Sequence, residues 1–358
     1  MLDYYRDERI SRLLIEKIND LSKEFDSVRI MHVCGTHEDT IARFGLRSLL
    51  PQNIEVVAGP GCPVCITPPE EIDVAIKLAL EGNRIFVYGD LLRVPGSEMS
   101  LYNARGMGGD IRVVYSPLDA LKQAKNSKEE VIFSAIGFET TAPSTASILM
   151  KNLPENFSII CSHRLIPPAI DFLLDTEEIK LDALIEPGHV STIIGVEPYI
   201  PISEKYKIPQ AITGFEPNDV LLSILKILKM LKEKDNSVFN EYKRSVRQKG
   251  NVRAKKMMEK VFDVESRRWR GFPVIPNASF KLKERYKKYD TLEKFDIEFQ
   301  EAPHFYKECL CGEILRGNKK PHECKLFGER CTPVTPLGPC MVSVEGSCQV
   351  AYKYEVVS

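Results

Sequence analysis

The chain has 358 residues, of which 43% are hydrophobic and 28% charged, enough to bury a sizeable core and to divide into two or three domains. No stretch reaches the roughly 18 consecutive apolar residues of a membrane span, and the opening Met-Leu-Asp-Tyr-Tyr-Arg-Asp-Glu lacks a signal-peptide core, so a cytoplasmic protein without a membrane partner is expected. The net charge of −1 hides 20 basic and 8 acidic residues between Lys226 and Asp290, but the basic ones alternate with apolar residues at helical spacing, as in Ile224 to Leu231, which marks a solvated helix face and not a nucleic-acid surface.

From about Val28 to Phe215 short apolar runs alternate with helical patterns, the signature of βαβ units on a parallel sheet. The predicted strands are Val28 to Val33, Ile54 to Ala58, Arg84 to Tyr88, Ile111 to Tyr115, Val131 to Ile136, Phe157 to Cys161, Ala183 to Glu186 and Gln210 to Thr213. Four precede residue 120 and four follow it, which predicts two similar Rossmann-like α/β domains, 1–121 and 122–220, joined at the polar Lys122 to Glu130. A short echo, Ile136-Gly-Phe-Glu139 and Thr213-Gly-Phe-Glu216, fits a duplication. Beyond it Asn218 to Lys234 and Glu241 to Phe262 read as helices. After Pro273 the chain turns irregular, so region 221–358 is expected to bury little apolar surface and to need an internal staple.

The cysteines suggest what that staple is. Six of the ten fall in the last fifty residues, at 309, 311, 324, 331, 340 and 348. In a reducing compartment such a cluster holds a metal or moves electrons more readily than it forms structural disulfides. Cys309-Leu-Cys311 and the long reach to Cys348 fit neither the paired Cys-x₂-Cys of zinc ribbons nor the compact run of bacterial ferredoxins. Four ligands would leave two thiols over, and spacing does not say which four.

Three motifs follow predicted strands. In Val33-Cys34-Gly35-Thr36-His37-Glu38-Asp39, Thr36 and Asp39 are placed to start a helix, with Cys34 in the crevice beyond a strand's carboxyl end. There helix amides favour a thiolate and His37 offers an imidazole. Gly59-Pro-Gly-Cys62-Pro-Val-Cys65 is a Cys-x-x-Cys at a strand-to-helix turn, a redox pair or half of a zinc site, with Thr67, Pro68 and Glu70 as a capping box behind it. Gly137-Phe138-Glu139-Thr140-Thr141 supplies a carboxylate for binding or proton relay. His163 and Pro187-Gly188-His189 occupy the next loops, each histidine reading first as structural. Arg105-Gly-Met-Gly-Gly-Asp110 precedes a strand and so reads as a loop, not a dinucleotide fingerprint.

Taken together, Cys34-Gly-Thr-His-Glu38, Gly59-Pro-Gly-Cys-Pro-Val-Cys65, Gly137-Phe-Glu-Thr-Thr141 and Cys331-Thr-Pro…Gly338-Pro-Cys-Met-Val-Ser-Val-Glu-Gly-Ser-Cys348 resemble the HypD family of hydrogenase maturation factors, in the family's order and over nearly the whole chain. The resemblance implies two similar α/β domains and a third carrying a [4Fe–4S] cluster. It also implies that the protein works with HypC on assembly of the Fe(CN)₂CO group of NiFe hydrogenases, as a monomer within a heteromeric complex, while HypE delivers cyanide. Carried onto this sequence, it makes Cys309, Cys324, Cys331 and Cys348 the cluster ligands, Cys311 and Cys340 a redox dithiol, and Cys62 and Cys65 a second one. Cys34 would hold the transient Fe(II) with its CN and CO ligands, with His37 and Glu139 lining the cleft. A stand-alone iron–sulfur thiol/disulfide oxidoreductase and a zinc-stapled scaffold are the competing classes.

Overall fold

A computed structural model describes residues 3–176, 179–301 and 308–356. All eight predicted strands form: β1 Val28–His32, β2 Ile54–Ala58, β3 Arg84–Val87, β4 Ile111–Val113, β5 Val131–Gly137, β6 Phe157–His163, β7 Ala183–Pro187 and β8 Gln210–Thr213, followed by β9 Val238–Asn240. Every pairing among these nine is parallel. The apolar runs have their cause in that arrangement, since a parallel strand covered on both faces has no wet side; β5, Val-Ile-Phe-Ser-Ala-Ile-Gly, is buried throughout. The fold is therefore α/β with parallel sheets. No helix among the described residues is long and apolar enough to cross a membrane.

The strands divide between sheets differently from the contiguous four and four of the sequence reading. One sheet runs β2-β1-β7-β8-β9 and the other β4-β3-β5-β6. The second is thus inserted in the chain between β2 and β7, and residues 122–130 connect two strands of one sheet. Within each sheet the first four strands keep the same relative order, second-first-third-fourth, which is the repeat that the sequence hinted at. The Gly-Phe-Glu echo does not mark it, because Gly137 ends the third strand of its sheet and Gly214 follows the fourth strand of the other.

Side-chain alternation shows how the sheets meet. On β5, Ile132 and Ile136 enter one shared core while Val131, Phe133 and Ala135 enter an outer one. On β1, Met31 joins the shared core while Val28 and Ile30 join the opposite outer core, beneath the helices Glu8–Ser22 and Pro217–Glu233. The shared core continues into Cys62, Cys65, Trp269, Cys311 and Cys340.

The region after residue 240 departs from expectation in two ways. Its helix is Val252–Val261, started by Asn251, whose side chain accepts the Ala254 N–H at 3.1 Å, so the predicted helix begins eleven residues late. Phe262–Arg268 and Val274–Leu282 then form an antiparallel hairpin, β10 and β11. Pro276 and Asn277, the latter at φ 54°, interrupt the β11 pattern and disguise it as irregular chain.

The hairpin is tied to the sheets by buried charge. Glu71, on the helix Pro69–Leu80, accepts from Arg164 at the end of β6 at 2.5 Å and from Arg267 of β10 at 3.4 Å, and Glu70 accepts twice from Arg268. Glu71 and Arg164 are both almost fully buried, so removing one strands the other in a low-dielectric interior. Glu71→Leu is expected to destabilise the protein by about 3–5 kcal/mol in denaturant unfolding. A loss below about 1 kcal/mol would show that the pair is not a joint of the fold.

Candidate functional site

In the first sheet the chain leaves β1 for β2 on one side, and β7 lies on the other, so the crevice beyond β1 is a topological switch point where α/β sheets bind ligands. Cys34 stands there as the N-cap of helix Gly35–Arg43. Thr36 and Asp39 do not cap that helix. Thr36 Oγ1 donates to Glu345 Oε1 at 3.0 Å, and Asp39 Oδ1 accepts from the Tyr354 hydroxyl at 3.0 Å, so both hold the C-terminal tail across the crevice.

The second cysteine loop presses on the first. A Cβ at Gly61 would lie 2.2 Å from the Cys34 nitrogen, and a Cβ at Gly35 would lie 2.4 Å from the Glu345 carbonyl, so neither position accepts a side chain without displacing backbone. The Gly35 N–H donates to the Gly61 carbonyl at 3.2 Å. Cys62 and Cys65 are buried and joined by a disulfide. The expected Thr67–Glu70 capping box is absent: Pro68 caps the helix, the Thr67 hydroxyl donates back to Pro63 O at 2.8 Å, and Glu70 is committed to Arg268.

Burial decides the electrostatics. It pushes the Cys34 thiol up to about 11, with the Glu345 carboxyl adding to the shift and the amides of His37 and Thr36 opposing it. The helix terminus therefore does not make a thiolate by itself, contrary to the expectation. His37 is drawn down to about 3 by burial and by nearby His32. Its Nε2 faces the carbonyls of Thr213 and Gly214 at 3.2 and 3.0 Å, which makes Nε2 the protonated nitrogen and leaves Nδ1 a buried lone pair without a partner.

A buried network that the sequence did not announce lies behind Cys34. His32 sets Nδ1 3.1 Å from the Cys34 carbonyl and Nε2 2.7 Å from Glu38 Oε2, and Arg47 grips the same carboxylate at 2.6 and 3.1 Å. Burial raises the Glu38 pKa, but Arg47 and His32 more than offset it and hold the group ionised. The chain Arg47, Glu38, His32 thus fixes the turn that aims Cys34. His32 was hidden because it reads as one more strand residue.

Two other buried acids, Glu139 and Glu186, behave in the opposite way. Glu139 accepts the Ile166 N–H at 3.0 Å through Oε1, while Oε2 has no partner, and burial pushes the group up to about 7. Glu186, on β7, is fully buried with both oxygens unpartnered and is pushed up to about 8 by burial alone. Burial raises the pKa of Tyr199 most, and Glu186, Glu139 and Cys34 each add to it, which puts the phenol within electrostatic reach of all three. Its hydroxyl lies 3.1 Å from Ser191 Oγ. An acid inside the apolar Ala183-Leu-Ile-Glu-Pro187 was the available signal for Glu186. Of the two loop histidines, His163 is buried against Thr145 Oγ1 at 2.9 Å, and exposed His189 stacks on Phe215 at 3.9 Å.

In the tail, Cys309, Cys311, Cys324, Cys331, Cys340 and Cys348 line one cavity together with apolar Ile314, Leu326, Phe327 and Met341. The sulfurs of Cys311 and Cys340 lie 2.7 Å apart, with Cys309 also against Cys311 and Cys348 against Cys340. The Leu337 N–H donates to Cys331 Sγ at 3.3 Å. Among the described residues no three His, Cys, Asp or Glu side chains are grouped to hold a single metal ion. The tenth cysteine, Cys161, is a buried strand residue whose thiol donates to Phe280 O.

The family described as "Hydrogenase formation hypA family", HypD, matches residues 9–355. The chain belongs to the HypD family. It is 50% identical over 353 residues to a hydrogenase expression/formation protein of Methanocaldococcus jannaschii, covering 97% of this chain and 98% of that one. It is 43% identical to a hydrogenase maturation factor of HypD type from Bradyrhizobium diazoefficiens and 40% identical to HypD of Cupriavidus necator, in each case over at least 96% of both chains.

In this HypD chain the neutral acids give a pH signature. A carboxyl raised from an ordinary 4.5 to about 8 binds its proton more tightly folded than unfolded. Its contribution is present below about pH 4.5 and is lost as pH rises toward 8. The stability of Glu186→Gln relative to the parent is therefore expected to rise between pH 5 and pH 8, on the order of 1 kcal/mol per unit, and then to level off. Glu139 is present in both proteins and cancels. Denaturant midpoints across that range check this, and a difference constant with pH would contradict it.

Proposed function

We propose that this HypD-family chain is the maturation scaffold on which, together with HypC, the Fe(CN)₂CO unit of NiFe hydrogenase is assembled, with HypE supplying cyanide. The observation that carries the reading is the meeting of three cysteine groups from distant parts of the chain: Gly61 brings the Cys62–Cys65 turn onto Cys34, and Glu345 brings the cysteine-rich tail onto the same helix start. The names of the relatives point the same way.

Iron is the cargo in this reading, and Cys34 is the residue that takes it, with HypC sharing the metal. A soft thiolate suits a low-valent iron carrying diatomic ligands. Because burial holds the thiol protonated at neutral pH, binding must release that proton, and His37, one helical turn along and held neutral by burial, offers its partnerless Nδ1 only as a hydrogen-bond acceptor. Glu139, raised to about 7, titrates where it can take up a proton at neutral pH, whereas Glu186, raised to about 8, stays protonated there.

Cys309, Cys324, Cys331 and Cys348 would hold a [4Fe–4S] cluster. Four thiols around an apolar cavity are the donor set such a group requires, and an amide on Cys331 Sγ is the kind of hydrogen bond that tunes it. When bound, the cluster supplies electrons singly. The Cys62–Cys65 disulfide, on taking up two electrons and two protons, opens to two thiols, and Cys311 with Cys340 is placed to cycle between the same states.

Cys34→Ala is expected to keep iron, sulfide and visible absorbance while abolishing hydrogenase maturation in a deletion background; unchanged maturation would remove Cys34 from the role. Cys331→Ser should lose iron and sulfide and leave the tail sensitive to proteolysis, because metal-binding energy there is also folding energy. Parental iron and sulfide content in that variant would sink the ligand assignment.

A further inference from the structure

The turn of the β10–β11 hairpin, Trp269-Arg270-Gly271-Phe272-Pro273, reaches into the shared core and lies between two of the cysteine groups. The Arg270 N–H donates to Ile66 O at 2.8 Å, its Nε to Thr67 O at 2.8 Å and its Nη2 to Pro95 O at 2.7 Å. The first two acceptors immediately follow Cys65. The next residue, Gly271, has φ 82°, and a Cβ there would lie 2.5 Å from the Cα of Gly312, the neighbour of Cys311. Arg270 is thus fastened to the Cys62–Cys65 segment by its hydrogen bonds and to the tail by the backbone contact beside it.

Arg270 is only 4% exposed, and its named acceptors are neutral carbonyls. The carboxylate named as acting on it, Glu70, accepts two bonds from Arg268. Burial disfavours its charge, and the groups that favour it are the Cys311 sulfur first, then Glu70, Cys309 and Cys340. A guanidinium stays ionised in proteins, so beside the Gly271–Gly312 contact the interior holds a fixed cation within electrostatic reach of Cys309, a cluster ligand in the reading above, and of the Cys311 and Cys340 pair.

We propose that Arg270 is the internal counter-cation of the tail's iron–sulfur site, a positioning residue that favours the extra negative charge of the reduced cluster. The inference rests on the cluster reading above. A [4Fe–4S] group on four thiolates is an anion, and adding one electron, with no proton transferred, makes it more so. A fixed positive charge in a weakly screened interior stabilises the reduced form and raises the potential.

The test uses the full-length protein, purified anaerobically and titrated in a mediator-poised cell by visible absorbance and electron paramagnetic resonance. Arg270→Gln should lower the one-electron midpoint by at least about 59 mV, a tenfold change in the reduction equilibrium, while Arg270→Lys stays within that margin of the parent. A folded, cluster-loaded Gln variant at the parental potential overturns the inference, and so does a Lys variant that falls as far as the Gln variant. If the Gln variant folds by circular dichroism but takes up no iron or sulfide, the Lys variant decides: restored loading supports the charge, whereas equal failure assigns the loss to the carbonyl bonds and overturns it. A parent protein that itself binds no iron and sulfide removes the cluster reading and this inference with it, before any variant is made.

Discussion

The close approach of backbone to backbone at Gly61 and Cys34 is the constraint on which the rest of the site depends. It sets the Cys62–Cys65 turn directly over the carboxyl end of β1, with the Gly35 N–H bonded to the Gly61 carbonyl. The same tightness recurs where Glu345 covers Gly35. Two contacts that exclude even a methyl group leave the crevice one shape, and that shape brings cysteines from opposite ends of the chain into one core. The buried Arg47–Glu38–His32 chain reinforces it from behind by engaging the Cys34 carbonyl itself.

The nested topology explains why that crevice is so dry. Since the second sheet is inserted between β2 and β7, the two sheets turn one face each to a common core, and the loops at their carboxyl ends are closed over by the tail. Thr36 and Asp39, freed from capping their own helix, anchor that tail instead. The shortfall is small, because a helix start whose amides lie near a cysteine sulfur loses only the modest contribution of a missing cap, whereas the tail gains fixed points on the fold.

What could be read from the sequence follows from the range of each interaction. The strands were legible because each is an apolar run bounded by Gly, Pro or polar residues, a local signal. Which sheet each strand joins was not, since β3 pairing with β5 across 131–133 depends on contacts far apart in the chain. The cysteines and His37 stood out by residue type, but the state of Cys34 did not, because the burial that outweighs the nearby amides, and the Glu345 carboxyl that adds to it, depend on the folded chain. His32, Glu186, Tyr199 and Arg270 sit in ordinary strand, helix or turn contexts, and only their missing or unusual partners identify them.

Those partners imply a division of charge within one protein. Around Cys34 the fold holds groups uncharged: a protonated thiol, a neutral imidazole and two carboxyls raised toward or past neutrality. On the proposed reading, a divalent cargo entering such a place would meet the paired Glu38 and the Glu345 carboxyl beside Cys34 and would release the thiol's proton as it binds. At the tail the fold does the reverse, burying the Arg270 cation whose named acceptors are carbonyls and whose charge Cys311 and Glu70 favour most. If the proposed roles hold, a transient metal would be served by a site that adjusts its protonation, and a resident anionic cluster by a charge that cannot move. Under that reading the two demands differ, and the hairpin turn, which bonds to the Cys62–Cys65 segment and touches Gly312 beside Cys311, would join two cysteine groups kept in different electrostatic surroundings.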